Sequence, residues 1–534
     1  MRALTALSVS FGILGLTASG AAAQRRATQR GPVPRITLPE RESPIPRRAL
    51  DRPPVRLRGF NVQAACSTID RSAIWSIQGT LITPAQVIPQ GMVTIGGKMI
   101  TAVRSVGPGS FSCSTKVDGI ILPGLIDLHN HLTWNVFPRW HPPKHYSRRY
   151  EWQHSPEFTR DEAHDDLYAS PQVHCQANLY GEVKALAGGA TSVVGSDNHS
   201  CVAGLIRNLD YDSGLLVMQG AISPSLQAAQ NPPALTKPCV APMDNDPIVD
   251  VADNEINPLE LTPQRVEYLK CHLISGSLRS LLVHLAEGRP DDRPSWSEFG
   301  KLQALGLLRE GLVIVHGTAL HEEDFAAMKN AGVGLVWSPR SEIELYGATL
   351  NILAAQNAGV AMAIAPDWSI TGSDGMLQEL NYARVNFGQF NAEQLTAMAT
   401  DIPARFARID DRIGQLKVGL YADLLVIRSK GGSAYESVVT ASPADVQLVV
   451  IDGRPLYGDI ALMQQLLPGK TLVPLTICGA SKAIDLGGTI AVQSSWDAVK
   501  AALQDRLSQD PHPLNLAPLA CPGVSKSEYP ANVR

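Results

Sequence analysis

Four segments of the chain each close an apolar run with a side chain able to bind a metal ion. Leu122-Pro123-Gly124-Leu125-Ile126-Asp127-Leu128 leads into His129-Asn130-His131. Leu281-Leu282-Val283 leads into His284, Leu312-Val313-Ile314-Val315 into His316, and Val360-Ala361-Met362-Ala363-Ile364-Ala365-Pro366 into Asp367. Residues i and i+2 of a strand point to one side, so His129 and His131 would share a face. Two imidazoles on one face are a ready pair of metal ligands. Singly, each feature has an ordinary reading: a histidine satisfied in a core, or an aspartate capping the next helix. Four in chain order, all at the C-terminal ends of buried strands, point to a shared centre.

Parallel strands must position these groups. Helical patterns over 171–187, 322–331 and 348–358 stop at Gly188-Gly189, Gly332 and Gly359, and strand-like runs follow at once. Glycine supplies the left-handed cap that ends a helix. Repeated helix–glycine–strand units predict an α/β fold with a parallel sheet. Strands near 121–128, 190–196, 281–285, 312–316, 333–337 and 360–365 suit a (β/α)8 TIM-like barrel over residues 121–411, whose active site would lie at the C-terminal mouth. The strands between 200 and 270 are not placed, because Pro-rich text interrupts that stretch. The flanks, 58–120 and 412–460, read as short strands and turns, and together predict a small composite β-sandwich domain. Residues 461–534 form a C-terminal extension with an amphipathic helix near Trp496 to Leu507.

The 534 residues are 44% hydrophobic and 18% charged, which fits a globular chain with a large core. A net charge of −4, from 46 basic and 50 acidic residues, gives no general attraction to nucleic acid or anionic lipid. No P-loop, GxGxxG fingerprint or GxSxG elbow occurs, so nucleotide-cofactor and serine-hydrolase chemistries have no support.

Residues 1–23 read as a secretory signal: Arg2, an apolar run over 3–16 too short to span a membrane, and Ala21-Ala22-Ala23 before Gln24. Periplasmic or secreted localisation follows, with no membrane span after cleavage. Residues 24–57 form an Arg/Pro-rich leader expected to be disordered. Eight cysteines and no CxxC pair argue against a cysteine zinc knot. In an oxidising compartment, Cys66 with Cys113 and Cys478 with Cys521 could form local bridges; buried free thiols are the other reading.

The order HxH, His, His, Asp resembles the amidohydrolase superfamily of metal-dependent hydrolases. His284-Leu285-Ala286-Glu287 is similar to the HxxE signature of its aminohydrolase/chlorohydrolase branch, which includes guanine, cytosine and adenosine-derivative deaminases. Leu305-Gly306-Leu307-Leu308, Ser338-Pro339-Arg340-Ser341, Gly375-Met376-Leu377-Gln378-Glu379 and the run Ile413 to Leu424 are also similar to that branch. The resemblance covers about residues 75–460. It implies one divalent metal, most often zinc, with iron, manganese or cobalt as alternatives, held by His129, His131, His284 and Asp367. His316 would hydrogen-bond the metal-bound water or the developing oxyanion. Asp367 would take the proton of that water, whose pKa the metal draws from ~15.7 toward ~7. Glu287 would shuttle a proton to the substrate nitrogen, which calls for a pKa raised by partial burial.

The chain also departs from the branch. Glu342 stands where related deaminases show the Asn of Pro-x-Ser-Asn, and Ala365-Pro366-Asp367-Trp368 replaces a Gly-Thr-Asp type sequence. Both positions line the pocket, so the substrate does not carry over with the chemistry. No lysine can be placed at the end of a fourth strand, which disfavours a binuclear site built on a carbamylated lysine. Trp134, Trp337, Arg340 and Trp368 are candidate substrate-binding residues; the aromatic ones could stack on a planar ring or be ordinary packing.

The reading is an exported metal-dependent hydrolase of small molecules, acting on non-peptide carbon–nitrogen bonds, with ring deamination as its sharper form. Amide, urea, carbamate, lactone or dipeptide hydrolysis is the alternative, and a non-catalytic binding protein on this scaffold a remote one. Homo-oligomerisation is compatible with the sequence.

Overall fold

The computed structural model describes residues 74–107, 114–161, 170–195, 204–211, 250–487, 495–509 and 512–521. The secretory signal, the leader, the start of the first strand-rich flank and the Cys66–Cys113 pair lie outside the described residues.

The first strands are β1 (Ile74–Ile82), β2 (Val87–Gly96), β3 (Met99–Ser105) and β4 (Ser114–Pro123). Eight short strands follow: β5 (Leu125–Asp127), β6 (Ala190–Val193), β7 (Arg207–Asn208), β8 (Asp250–Glu255), β9 (Leu278–Leu285), β10 (Leu312–His316), β11 (Gly334–Trp337) and β12 (Met362–Ile364). The last are β13 (Leu424–Arg428), β14 (Val446–Ile451), β15 (Arg454–Asp459), β16 (Val473–Ile477) and β17 (Ala480–Ile484).

The eight middle strands pair in parallel, as the repeated helix–glycine–strand text predicts. They form two sheets, β5-β6-β7 and β12-β11-β10-β9-β8, rather than one uninterrupted ring. Hydrogen bonds mark both seams. Asp367 N–H donates to the His129 carbonyl at 3.0 Å, within a parallel bridge between Asn130 and Asp367. Ala252 N–H donates to the Leu209 carbonyl at 3.0 Å. Gly332 and Gly359 cap the helices Glu322–Ala331 and Ile352–Ala358 with left-handed φ values of 69° and 74°.

The two strands the sequence left unplaced are β7 and β8. β7, Arg-Asn, is polar yet buried, and β8 buries the charged Asp253 beside Val251 and Ala252. Partners explain it: Asn208 donates to Glu182 at 2.9 Å, and Arg265 pairs with Asp253 at 2.7 Å and with Glu255 at 2.9 Å. A buried charge is tolerated when it is paired. The fourth of these strands, β8, carries no lysine.

Flanking strands from both sides join in one sheet, ordered β16-β17-β15-β14-β13-β4-β1-β2-β3. The junction is the antiparallel β4–β13 ladder, with Pro123 opposite Leu424 and Gly119 opposite Arg428. The flanks are thus composite, as expected, but they pair as one nine-stranded sheet rather than two separately paired ones. That sheet reaches past residue 460 to include β16 and β17. Ile77, Val93, Ile121, Leu424, Val426, Leu448 and Val450 are fully buried in its own apolar core. Among the described residues, no helix is long and apolar enough to cross a membrane.

The rest of the extension packs on the chain. Its helix Trp496–Ser508 stacks Trp496 on Tyr180, with ring centroids 5.7 Å apart. Ala517 N–H donates to the Val136 carbonyl at 2.8 Å. A disulfide joins Cys478 and Cys521, whose Cα atoms are 5.6 Å apart; Cys175 and Cys271 are also disulfide-bonded.

Candidate metal centre

Each ligating group sits at or just past the C-terminal end of a parallel strand. His129 and His131 follow β5, His284 is the penultimate residue of β9, His316 ends β10, and Asp367 follows β12. His316 and Asp367 take left-handed φ values of 68° and 66°, and Ala286, between His284 and Glu287, takes 51°. Such backbone costs of order 1–3 kcal/mol per non-glycine residue and persists where surrounding contacts fix it. Here the Asp367 N–H bond to His129 is one such contact.

The four expected ligands converge. Asp367 Oδ1 lies 3.2 Å from Nε2 of His129 and 3.4 Å from Nε2 of His131. The ligating atoms of His129, His131 and His284 all lie within 4.8 Å of one another, as do those of His129, His316 and Asp367. Nε2 of His129 and Nε2 of His284 are buried and have no hydrogen-bond partner. A buried polar atom without a partner is costly; two imidazole nitrogens in that state beside a carboxylate suit a divalent cation. Burial, against the pull of Asp367, lowers the His129 imidazole to about 4, and burial holds His284 well below its ordinary value. Both rings are therefore neutral near pH 7, the form that binds metal.

A surrounding layer fixes these groups. The Ser338 hydroxyl lies 2.7 Å from His129 Nδ1, so Nε2 is the nitrogen left for the centre. Ser341 donates to Asp367 Oδ2 at 2.6 Å. Asp127 accepts from His129 N–H at 3.1 Å and from the Asn130 side chain at 2.6 Å, fixing the backbone of the HxH segment.

Glu287 is buried, with Oε2 3.8 Å from both His284 Nδ1 and His316 Nε2. Tyr346 donates to its Oε1 at 2.6 Å, and Arg149 stands 3.9 Å away. The sequence predicts a raised pKa here; the structure gives the reverse. Burial does push upward, but His316, His284 and Arg149 beside it hold the carboxyl well below the usual carboxylate range. For His316, burial works against charge, yet Glu287, Glu342 and Asp367 raise its imidazole to about 9.

The candidate substrate residues divide. Trp368 is close to the centre, its ring 5.5 Å from His131 and 5.9 Å from the partly exposed Trp134. Trp337 lies deeper: its ring is fully buried, 4.9 Å from Phe387, and its N–H donates to Thr349 at 2.8 Å. Arg340 is buried too, its guanidinium 6.0 Å from the Tyr382 ring and away from the cluster's named contacts.

Arg149, Tyr346, Ser338 and Ser341 contact the centre without a role read from the sequence, and Glu342, read there as lining the pocket, contacts His316. Ser338, Ser341 and Glu342 do share one short stretch after a predicted strand, which is a usable signal. Arg149 and Tyr346 lie far from their partners in sequence and carry none.

The amidohydrolase family profile matches residues 120–456, most of the chain. The chain belongs to the amidohydrolase family. A 5-methylthioadenosine/S-adenosylhomocysteine deaminase 1 of Syntrophus aciditrophicus is 24% identical over 408 residues, covering 70% of this chain and 89% of the relative. A 5-methylthioadenosine/S-adenosylhomocysteine deaminase of Syntrophobacter fumaroxidans is 26% identical over 262 residues, 45% of this chain. That match spans only 59% of the relative's length. Among solved structures, an adenosine deaminase from Xanthomonas campestris with bound zinc superposes with a TM-score of 0.57 at 19% identity, covering 81% of this chain and 97% of that one. The atrazine chlorohydrolase of Arthrobacter aurescens complexed with zinc gives 0.57 at 15% identity, covering 81% and 99%. These likenesses show a TIM-barrel type fold.

Proposed function

We propose that the chain is an exported, metal-dependent hydrolase that displaces an amino group from an sp² carbon of a nitrogen heterocycle. The observation that carries this reading is Glu287, a carboxylate at 3.8 Å from both His284 and His316, beside two buried imidazole nitrogens that lack partners. His129, His131, His284 and Asp367 would hold one divalent cation, zinc in the solved relatives named above. Bound there, it would supply Lewis acidity and water ionised near neutral pH.

The chain's own groups then divide the work. Asp367 Oδ1, with Oδ2 engaged by Ser341, accepts a proton from the attacking water. His316, charged at neutral pH, donates from Nε2 toward negative charge developing on the substrate. Glu287 relays a proton to the departing nitrogen, which leaves as ammonia. Ionised Glu287 takes this proton from the hydroxyl of the added water, and the proton held by Asp367 ends on the ring nitrogen of the product; a depressed pKa suits such a shuttle better than a standing acid. Trp134 and Trp368, beside His131, offer aromatic faces to a planar ring.

Export rests on the N-terminal signal pattern, and the Cys478–Cys521 disulfide fits an oxidising compartment. The test is a screen of zinc-loaded protein against aminoheterocycles, amides and ureas, following ammonia and acid release. Ammonia from an aminoheterocycle supports the reading; acid release from amides alone replaces it with amide hydrolysis.

A further inference from the structure

We propose that Glu342 is the positioning residue of His316: its carboxylate accepts a hydrogen bond from Nδ1–H and so turns Nε2 of that imidazole into the site. The inference rests on the reading of His316 given above, and extends it to the residue that stands where related deaminases show asparagine.

Glu342 lies on the helix Pro339–Tyr346, directly after β11, and its side chain is fully buried. Its Oε1 is 3.3 Å from His316 Nδ1 and accepts from Ser338 N–H at 3.1 Å. Its Oε2 accepts from the Thr349 hydroxyl at 2.6 Å, and Thr349 itself accepts from Trp337 Nε1–H at 2.8 Å. Both carboxylate oxygens are thus engaged, and the carboxylate cannot swing away from the imidazole without losing these bonds. An acceptor at Nδ1 fixes which ring nitrogen carries the proton and how the ring is turned. The opposite nitrogen, Nε2, faces Glu287 at 3.8 Å. Ser338 links two rings of the site, its N–H holding Glu342 and its hydroxyl contacting His129. The buried Trp337 also gains a purpose here, as the outermost donor of the chain Trp337–Thr349–Glu342–His316.

Three measurements on the zinc-loaded full chain test this. In ¹⁵N-histidine-labelled wild type, the His316 resonances, identified by their loss in His316→Asn, should show a protonated Nδ1; an unprotonated Nδ1 overturns the proposal. Glu342→Ala should lower kcat about 10–100-fold, the range for removing a group that orients a site residue, with KM and zinc content nearly unchanged. Glu342→Gln keeps an acceptor for Nδ1 and should restore most of that loss. An Ala variant with wild-type kcat, or a Gln variant as slow as the Ala variant, overturns the proposal. Should Glu342→Ala fail to fold, Thr349→Val removes only the outer donor and should slow turnover with KM unchanged; full-rate turnover there counts against the chain of contacts. If wild type releases ammonia from no compound, the deaminase reading fails, and the state of Nδ1 still decides the role of Glu342.

Discussion

The Ser341 hydroxyl donates to Asp367 Oδ2 at 2.6 Å and leaves Oδ1 turned to His129 and His131. One carboxylate therefore has a fixed oxygen and a working one. Ser341→Ala should weaken metal affinity about 10–100-fold without unfolding the chain. Competition with a chromophoric chelator measures it, and unchanged affinity would remove Ser341 from the site.

His129→Ala and Asp367→Ala should each abolish metal retention and turnover. Because a bound cation stabilises only the folded state, a chelator should lower the melting temperature of wild type and leave that of His129→Ala where it was. Equal chelator shifts in both proteins would refute the ligand assignment.

Glu287→Gln keeps the size of the side chain and loses its ability to carry a proton. Turnover should fall about 10²–10⁴-fold, with zinc stoichiometry as in wild type. A full-rate variant would eliminate the shuttle role. Tyr346→Phe, which removes the 2.6 Å donor to Glu287, should give a milder loss read in the same assay.

Glu182 makes a pH-dependent contribution to stability away from the centre. Burial raises its carboxyl from an ordinary 4.5 to about 7, against hydrogen bonds from Asn208, Leu205 and Ile206. The folded chain then binds this proton more tightly than the unfolded one. The contribution is full below about pH 4.5 and is lost as pH rises through about 7. The change is on the order of 3 kcal/mol, at 1.36 kcal/mol per unit. Denaturant titrations at pH 5 and pH 8 should show Glu182→Gln losing less stability than wild type over that interval; parallel losses would contradict the assignment.

Cys478 and Cys521 close a loop of sequence separation 43, and Ala517, near its end, is bonded to Val136 beyond the HxH segment. Replacing both cysteines by Ala should cost about 2–4 kcal/mol. Hydrogen exchange should quicken in residues 132–137, which the extension holds through Ala517. If exchange quickens only within 461–521, the extension does not brace that loop.

The sequence by itself pointed to the candidate ligands that the fold brings together and to the kind of scaffold. His129, His131, His284, His316 and Asp367 announce themselves because each interrupts an apolar run at a strand end, where burial and chemistry are visible together. The parallel strands are legible for the same reason, since β11 is apolar throughout and β9 and β10 are apolar over Leu281–Val283 and Leu312–Val315. Only the tertiary structure decided what could not be read from local pattern. β7 and β8 look like loops until Glu182 bonds Asn208, Asp423 pairs with Arg207 and Arg265 pairs with Asp253. The depth of Trp337, its ring fully buried beside Phe387, is likewise set by packing. Glu287 looks like an acid awaiting a raised pKa until His316 and Arg149 arrive beside it from separate elements. Electrostatic surroundings depend on distances between remote residues, and those distances are set by how the strands pack, not by their order along the chain.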